Sequence, residues 1–157
     1  MRNNYGTQYQ KKVVRSMSIW VQKANVRDLN NLCKNTMVSH LKIEFTEIGE
    51  RHLSARMPVE DFTQQPDRLL HGGASVTLAE TLGSVAGNLC IDRGKKVSVG
   101  LDINANHIRS VRSGYVTGMT EPIHLGASTQ IWEIKIKDAE GSLICIARLT
   151  MAVLDRT

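Results

Sequence analysis

Aromatic residues are scarce in this chain of 157 residues, and no apolar run is long enough to cross a membrane. Phe, Trp and Tyr together make up 4% of the sequence, so aliphatic and small side chains must form the core of what we expect to be one domain. A basic stripe interleaved with aromatic residues, typical of proteins that bind nucleic acid, is also missing. We therefore expect neither a nucleic-acid partner nor a membrane partner.

Metal-ligand spacing and paired cysteines are absent as well. The five histidines and three cysteines do not follow the short spacing of metal sites, and no C-x-x-C motif occurs. The odd number of cysteines, Cys33, Cys90 and Cys145, is typical of reduced thiols in a reducing compartment. We therefore expect no metal and a cytoplasmic location.

Acidic residues are missing from the first part of the chain. No Asp or Glu precedes Asp28, although the net charge is +5 and several Lys and Arg residues lie in this stretch. Residues 1–18 lack the apolar core of a secretory signal, and their polar, basic composition predicts a flexible N-terminal extension. Residues 19–157 are then expected to form the single domain.

The spacing of apolar residues predicts two helices and six strands. A short amphipathic helix is expected over 24–34, with Asn25 or Asp28 at its N-terminus, and a long helix over 73–90. The expected strands, taken from alternating apolar and polar residues, cover 41–46, 53–57, 97–109, 112–121, 127–138 and 142–153. Strands grouped on both sides of one helix favour the α+β class with a mostly antiparallel sheet.

The long helix carries a single charged side chain in a stretch of small and apolar residues. Between Ala74 and Leu89, Glu80 is the only charged residue. Burial of a carboxylate without a partner is costly, so we expect Glu80 to be buried for a functional reason. Gly83 and Gly87 each cost about 1 kcal/mol relative to alanine, which predicts close packing of this helix against its neighbours.

Two glycines, Gly72 and Gly73, stand where the long helix is expected to begin. Free N–H groups at a helix N-terminus carry partial positive charge, and glycine lets a ligand approach them, so such a site stabilises a developing oxyanion. Glu80 lies two turns further on, and Ser84 shares its helix face. A carboxylate attacks a carbonyl group or activates a water molecule. The pattern indicates acyl-transfer chemistry; a structural joint, with Glu80 paired to an arginine, is the alternative.

Several segments together resemble the hotdog-fold acyl-CoA thioesterases. They are Gln65–Pro66, Leu70–Ser75, Ala79–Glu80, Gly83–Gly87, Val99–Ser110, Pro122–Gly126 and Ser142–Leu154. The similarity extends over 25–154 and is strongest to the branch of the bacterial 1,4-dihydroxy-2-naphthoyl-CoA hydrolase and the enterobactin-pathway proofreading thioesterase. It implies a long helix wrapped by a curved antiparallel sheet. It also implies that two subunits pair edge to edge as a dimer, that dimers associate into a homotetramer, and that active sites are shared between subunits.

The resemblance also implies a role for each predicted site residue. Glu80 would be the nucleophile or general base, and the Gly72 N–H would polarise the thioester carbonyl. Gln65 and His71 would position the thioester or the water, and Ser84 would assist Glu80. Coenzyme A is expected against Gly100, His107, Ile108, Arg109, Ser110, His124, Leu125 and Gly126. A guanidinium such as that of Arg109 binds phosphate as a charged donor.

The sequence departs from the family pattern at two places. Ala127–Thr129 stands where relatives carry a basic or histidine side chain, which removes possible contacts to the phosphates of coenzyme A. Ser98 is an extra residue before the Val99–Gly100 pair, and we expect it to alter the preceding loop.

The reaction that the resemblance implies is hydrolysis of an acyl-CoA substrate, with an aromatic acyl group, to a free acid and coenzyme A without a cofactor. Two alternatives remain open at the level of the sequence. A hotdog hydratase or dehydratase pairs a catalytic histidine with an aspartate on the helix, whereas this helix carries Glu80 and no histidine. A non-catalytic protein that binds or senses acyl-CoA would retain the thioester without releasing thiol.

Overall fold

The computed structural model describes residues 18–156 and confirms the α+β class. The elements in chain order are α1 (Val26–Leu32), α2 (Met37–His40), β1 (Glu44–Ile48), β2 (Leu53–Pro58), α3 (Gly72–Leu89), β3 (Lys96–His107), β4 (Tyr115–Leu125), β5 (Thr129–Lys137) and β6 (Leu143–Asp155). Nearly all of the predicted extension, residues 1–18, lies outside the described residues. Within 18–156, no helix is long and apolar enough to span a membrane.

One antiparallel sheet of six strands, in the order β1-β2-β4-β5-β6-β3, forms the body of the domain. The inward-facing residues of β5, Trp132, Ile134 and Ile136, are fully buried, as their alternation predicts. Helix α3 lies against strands β2 to β6 and is the only long helix in the described part of the chain. This arrangement of one long helix against the inner face of an antiparallel sheet is the hotdog fold that the resemblance implies.

Close packing of α3, predicted from its glycines, is confirmed. A β-carbon on Gly87 would lie 2.7 Å from Oε1 of the buried Gln130, and one on Gly83 would collide with a methyl group of Leu149. Any side chain at these positions would push the helix away from the sheet. The glycines therefore allow the close approach that outweighs their low helix propensity.

The first strand begins later than predicted. Residues 37–40 form the short helix α2, and Lys42 follows it with a φ of 52°, in the left-handed region. Leu41 and Ile43 are buried, as their alternation suggested, but they belong to the turn that connects α2 to β1. A short apolar run does not distinguish a strand from a helical turn, which explains the wrong prediction.

Helix α1 begins where the sequence indicated. The side chain of Asn25 accepts a hydrogen bond of 3.0 Å from the Asp28 N–H and caps the helix. Of the apolar residues at helical spacing in α1, Leu29 is buried whereas Leu32 is 72% exposed.

The segment before α1 is fastened to the end of α3. The ring of Trp20 stacks on Trp132 with a centroid distance of 6.4 Å, and its indole N–H donates to the Gly49 carbonyl at 2.6 Å. The N–H groups of residues 21 and 22 both donate to the carbonyl of Leu89 at 2.9 Å. These contacts place the segment across the C-terminal end of α3, where carbonyl groups lack partners within the helix.

Candidate active site

The N-terminus of α3 presents a free backbone donor. His71 is the N-cap residue, and its Nδ1 accepts a hydrogen bond of 2.8 Å from the Gly73 N–H. The carbonyl of His71 accepts from the N–H groups of Ala74 and Ser75. Among the described residues, the Gly72 N–H has no acceptor. An N–H group in this position is available to polarise the carbonyl of a ligand.

A cleft of about 370 Å³ opens beside this N-terminus. Six of the predicted site residues line it: Gln65, Gly72, His107, Ile108, Arg109 and Ser110. His107 points inward from the end of β3, and its Nε2 would be 2.8 Å from a β-carbon on Gly72. A side chain at position 72 would therefore have to displace the imidazole of His107. The cleft unites the predicted oxyanion donor with part of the segment predicted to hold coenzyme A.

Glu80 is half-buried, not buried as predicted. Its Oε1 accepts a hydrogen bond of 2.8 Å from the Ser84 hydroxyl, which confirms that the two side chains share one helix face. Within residues 18–156, no lysine, arginine or histidine forms an ion pair with Glu80. The structural alternative, pairing of this carboxylate with an arginine, is therefore wrong, and partial access to solvent reduces the cost of burial.

Gly100 lies beside Glu80 and away from the cleft. A β-carbon on Gly100 would be only 2.7 Å from Oε1 of Glu80. Gly100 points inward from β3 immediately before a bulge at Leu101, where the register with β6 shifts. The glycine and the bulge together let the carboxylate approach the strand backbone. The residue predicted to contact coenzyme A is thus also part of the surroundings of the carboxylate.

The two halves of the predicted chemistry are separated within one chain. Gly72 and Glu80 are eight residues apart on α3, which corresponds to about 12 Å along the helix axis at 1.5 Å per residue. On β3, Gly100 lies next to Glu80, whereas His107 lies next to Gly72 at the other end of the strand. A single thioester group does not reach both halves of one chain.

The remaining predicted residues lie at the end of the sheet that carries Glu80. His124 and Leu125 are the last residues of β4, and Gly126 starts the turn that follows. Leu125 pairs with Gln130 of β5, which pairs with Met151 of β6, and Met151 pairs with Gly100 of β3. Three strand spacings separate Leu125 from Gly100, or about 14 Å.

A second groove was missed at the level of the sequence. It has a volume of about 460 Å³ and lies between α1, α3 and the segment that precedes α1. Ser84 borders this groove, and the apolar part of its wall consists of Ala24, Leu29, Leu32, Val85, Leu89 and Val97. Because these residues come from segments about 60 residues apart, no local spacing signals the groove. A cleft of about 480 Å³ on the outer face of the sheet contains none of the predicted site residues.

The thiols are not suited to act as nucleophiles. Burial raises the pKa of the Cys90 thiol to about 12, although Arg51 opposes this shift. Burial also raises the pKa of Cys33 and of Cys145. All three thiols are unpaired, and the reactive form of cysteine is the thiolate. The raised pKa values therefore disfavour thiolate chemistry at all three cysteines.

Comparison with known proteins identifies the family of the chain. The family model of the thioesterase superfamily matches residues 68–145. The 1,4-dihydroxy-2-naphthoyl-CoA hydrolase of Escherichia coli is 52% identical over 136 residues, which make up 87% of this chain and 99% of that protein. The proofreading thioesterase EntH of Cronobacter turicensis is 48% identical over 136 residues, 87% of this chain and 98% of its own.

A solved structure shows the same fold. The crystal structure of a thioesterase from Haemophilus influenzae is 51% identical and superimposes with a TM-score of 0.85, covering 87% of this chain and 95% of that chain. The similarity includes the start of α3, Glu80 and the whole of β3, because it extends over nearly the entire domain. The chain therefore belongs to the thioesterase superfamily and is a hotdog-fold enzyme that hydrolyses thioesters.

Proposed function

We propose that this enzyme hydrolyses acyl-CoA thioesters with an aromatic acyl group, in an active site shared between two chains. The observation that carries the proposal is the position of Gly72 and Glu80 on one helix, each beside its own end of β3. The free N–H and the carboxylate have the chemistry that thioester hydrolysis requires, yet they are too far apart to act on one carbonyl group within a chain.

Pairing of two chains through β3 resolves this separation. β3 is an edge strand, and the exposed fractions of Val99 and Leu101 are 38% and 65%. A second β3 that pairs antiparallel, centred between Ile103 and Asn104, brings the Gly100 end of one chain opposite the His107 end of the other. Glu80 of one chain then approaches Gly72 of its partner. Two identical sites result, because a twofold interface repeats every contact.

The reaction follows from these positions. The thioester oxygen accepts a hydrogen bond from the Gly72 N–H, and the Glu80 carboxylate removes a proton from water as hydroxide adds to the carbonyl carbon. The tetrahedral intermediate collapses with departure of the thiolate, which recovers the proton from Glu80. Direct attack by Glu80, through an anhydride that water then cleaves, is the nucleophilic form of the same proposal. Ser84 stabilises the charged carboxylate through its hydrogen bond of 2.8 Å.

The cleft suits the coenzyme A part of the substrate, and the groove beside Ser84 suits the acyl part. Arg109 borders the cleft and forms no ion pair among the described residues, so its guanidinium is available for a phosphate of coenzyme A. The Gln65 amide N–H₂ also donates to no described residue, which leaves it free for the thioester. The groove beside Ser84 has an apolar wall and a volume of about 460 Å³, which suits a bulky, aromatic acyl group.

The proposal also includes a tetrameric assembly and a cytoplasmic location. Ile123 and Leu154 are 55% and 50% exposed on the outer face of the sheet, which supports association of two dimers into a tetramer. The unpaired thiols support a cytoplasmic location.

Thiol release from a panel of aromatic and aliphatic acyl-CoAs tests the reaction. We expect Glu80→Gln to reduce kcat by at least about 1000-fold, because the variant lacks the base or nucleophile. Glu140→Gln, in the exposed hairpin before β6, is the matched control and should keep full activity. A hydratase would consume an enoyl-CoA without releasing thiol, and a binding protein would do neither. Full turnover by Glu80→Gln would refute the proposed mechanism.

Mixing two inactive variants tests the shared site. In a mixed dimer of Glu80→Gln and Gly72→Pro chains, one of the two sites contains both native residues. Random exchange of subunits should therefore restore about a quarter of the activity. If each chain held a complete site, the mixture would stay inactive.

A further inference from the structure

We propose that Asn88 is a positioning residue that holds β3, and through it Gly100, in the register that the Glu80 carboxylate requires. This inference rests on the proposed function of Glu80. Asn88 does not touch the carboxylate; it acts through the backbone of Ser98.

The side-chain amide of Asn88 joins the last turn of α3 to β3. Its Nδ2 donates to the carbonyl of Ser98 at 2.9 Å and to the carbonyl of Ser84 at 3.0 Å. Its Oδ1 accepts from the Ser98 N–H at 3.3 Å. Both N–H donors and the oxygen are in use, so this amide is not available to a substrate. Its hydrogen bonds are those of a structural link.

The groups that Asn88 binds lie on the open edge of β3. Ser98 stands opposite Val153, whose N–H donates to the Ser128 carbonyl on the β5 side. In an antiparallel pair, the N–H and carbonyl of Ser98 must then point away from β6. Asn88 therefore binds them as a neighbouring strand would, and a second β3 cannot pair at Ser98. An antiparallel pairing that spans 100–107 leaves Ser98 outside the ladder, in agreement with the proposed dimer.

Ser98 and Gly100 both face α3 and are two residues apart. Ser98 packs over Gly87, whose β-carbon would lie 3.0 Å from the Ser98 hydroxyl, and Gly100 packs over Glu80. The bulge at Leu101 interrupts the ladder immediately after Gly100. Because β3 is an edge strand, only β6 holds it through ladder hydrogen bonds, and the bulge weakens that pairing. The Asn88 link supplies the missing restraint on the side of α3.

A second asparagine makes the same contact at the other edge of the sheet. Asn30 of α1 donates to the Phe45 carbonyl at 3.0 Å and accepts from the Phe45 N–H at 2.8 Å. Phe45 lies in β1, the opposite edge strand, far from Glu80 in the strand order. Asn30 is thus a matched control for kcat, since its removal breaks an equivalent link that touches neither β3 nor Glu80.

Kinetics of Asn88→Ala and Asn30→Ala with an aromatic acyl-CoA that the enzyme accepts tests the proposal. We expect both variants to lose thermal stability, but only Asn88→Ala should lose kcat, by about 10- to 100-fold, as small displacements of reacting groups do. Its KM is not diagnostic, because Asn88 also lines the groove proposed for the acyl group. The acid limb of kcat against pH should shift in Asn88→Ala and stay unchanged in Asn30→Ala.

Asn88→Asp covers the case in which Asn88→Ala does not fold. It preserves the volume and the acceptor for the Ser98 N–H but removes both donors, so its kcat should also fall. Equal kcat values for wild type, Asn88→Ala or Asn88→Asp, and Asn30→Ala would refute the positioning role while leaving the role of Glu80 intact. Full activity of Glu80→Gln would instead refute the proposed function.

Discussion

The carboxylate of Glu80 lies directly against the backbone of Gly100. A β-carbon added to Gly100 would be 2.7 Å from Oε1 of Glu80, and real side chains do not tolerate such a distance. The same oxygen of the half-buried carboxylate accepts the hydrogen bond from the Ser84 hydroxyl. A single methyl group added to Gly100 should therefore displace the Glu80 carboxylate.

Gly100→Ala should reduce kcat by about 100-fold while the protein stays folded, because the new methyl group displaces Glu80. Steady-state kinetics with an aromatic acyl-CoA, and circular dichroism for the fold, check this expectation. If Gly100 served coenzyme A alone, KM would rise and kcat would remain unchanged.

Ser84→Ala should lower kcat by about tenfold, since the Glu80 carboxylate loses a hydrogen bond to its charged form. Thr77→Ala is a suitable control on the same helix, because the Thr77 hydroxyl donates to the Gly73 carbonyl at 2.9 Å. Comparable losses of kcat in the two variants would show that the effect does not come from the contact with Glu80.

Ser98→Ala should stabilise the protein. The Ser98 hydroxyl is buried and has no hydrogen-bond partner among the described residues, and its removal should raise the free energy of unfolding by about 1 kcal/mol. The backbone groups that bind Asn88 remain. Thermal unfolding should show a rise in Tm of about 2–4 °C; a lower Tm would mean that the hydroxyl contributes to the packing over Gly87.

Cys90 should make the protein less stable at high pH. Burial raises the pKa of its thiol from the ordinary 9.0 to about 12. Above about pH 9 the unfolded chain releases this proton while the folded chain retains it, so the free energy of unfolding falls as the pH rises. Between about pH 8 and about pH 11, Cys90→Ala should therefore lose less Tm than the wild type. Equal losses would contradict the raised pKa.

Features set by nearby residues could be predicted from the sequence. The start of α3, observed at Gly72 and expected at residue 73, and the contact between Glu80 and Ser84 both follow from spacing within one helix. The alternation of Trp132 with its neighbours likewise indicated its burial.

Features that depend on distant segments could not be predicted. The contact of Gly100 with Glu80 depends on the register between a helix and a strand, and the bulge at Leu101 shifts that register. The role of Asn88 has no local signal, because its partner Ser98 belongs to an edge that exists only once the sheet has formed.

The stacked pair of Trp20 and Trp132 gives the protein an internal optical reporter. These are the only two tryptophans of the chain, and their ring planes differ by 2°. One belongs to the segment before α1 and the other to the centre of the sheet, so their shared near-ultraviolet signal exists only while that segment stays attached. Local detachment of the segment, which walls the groove beside Ser84, is therefore observable by spectroscopy separately from unfolding of the sheet.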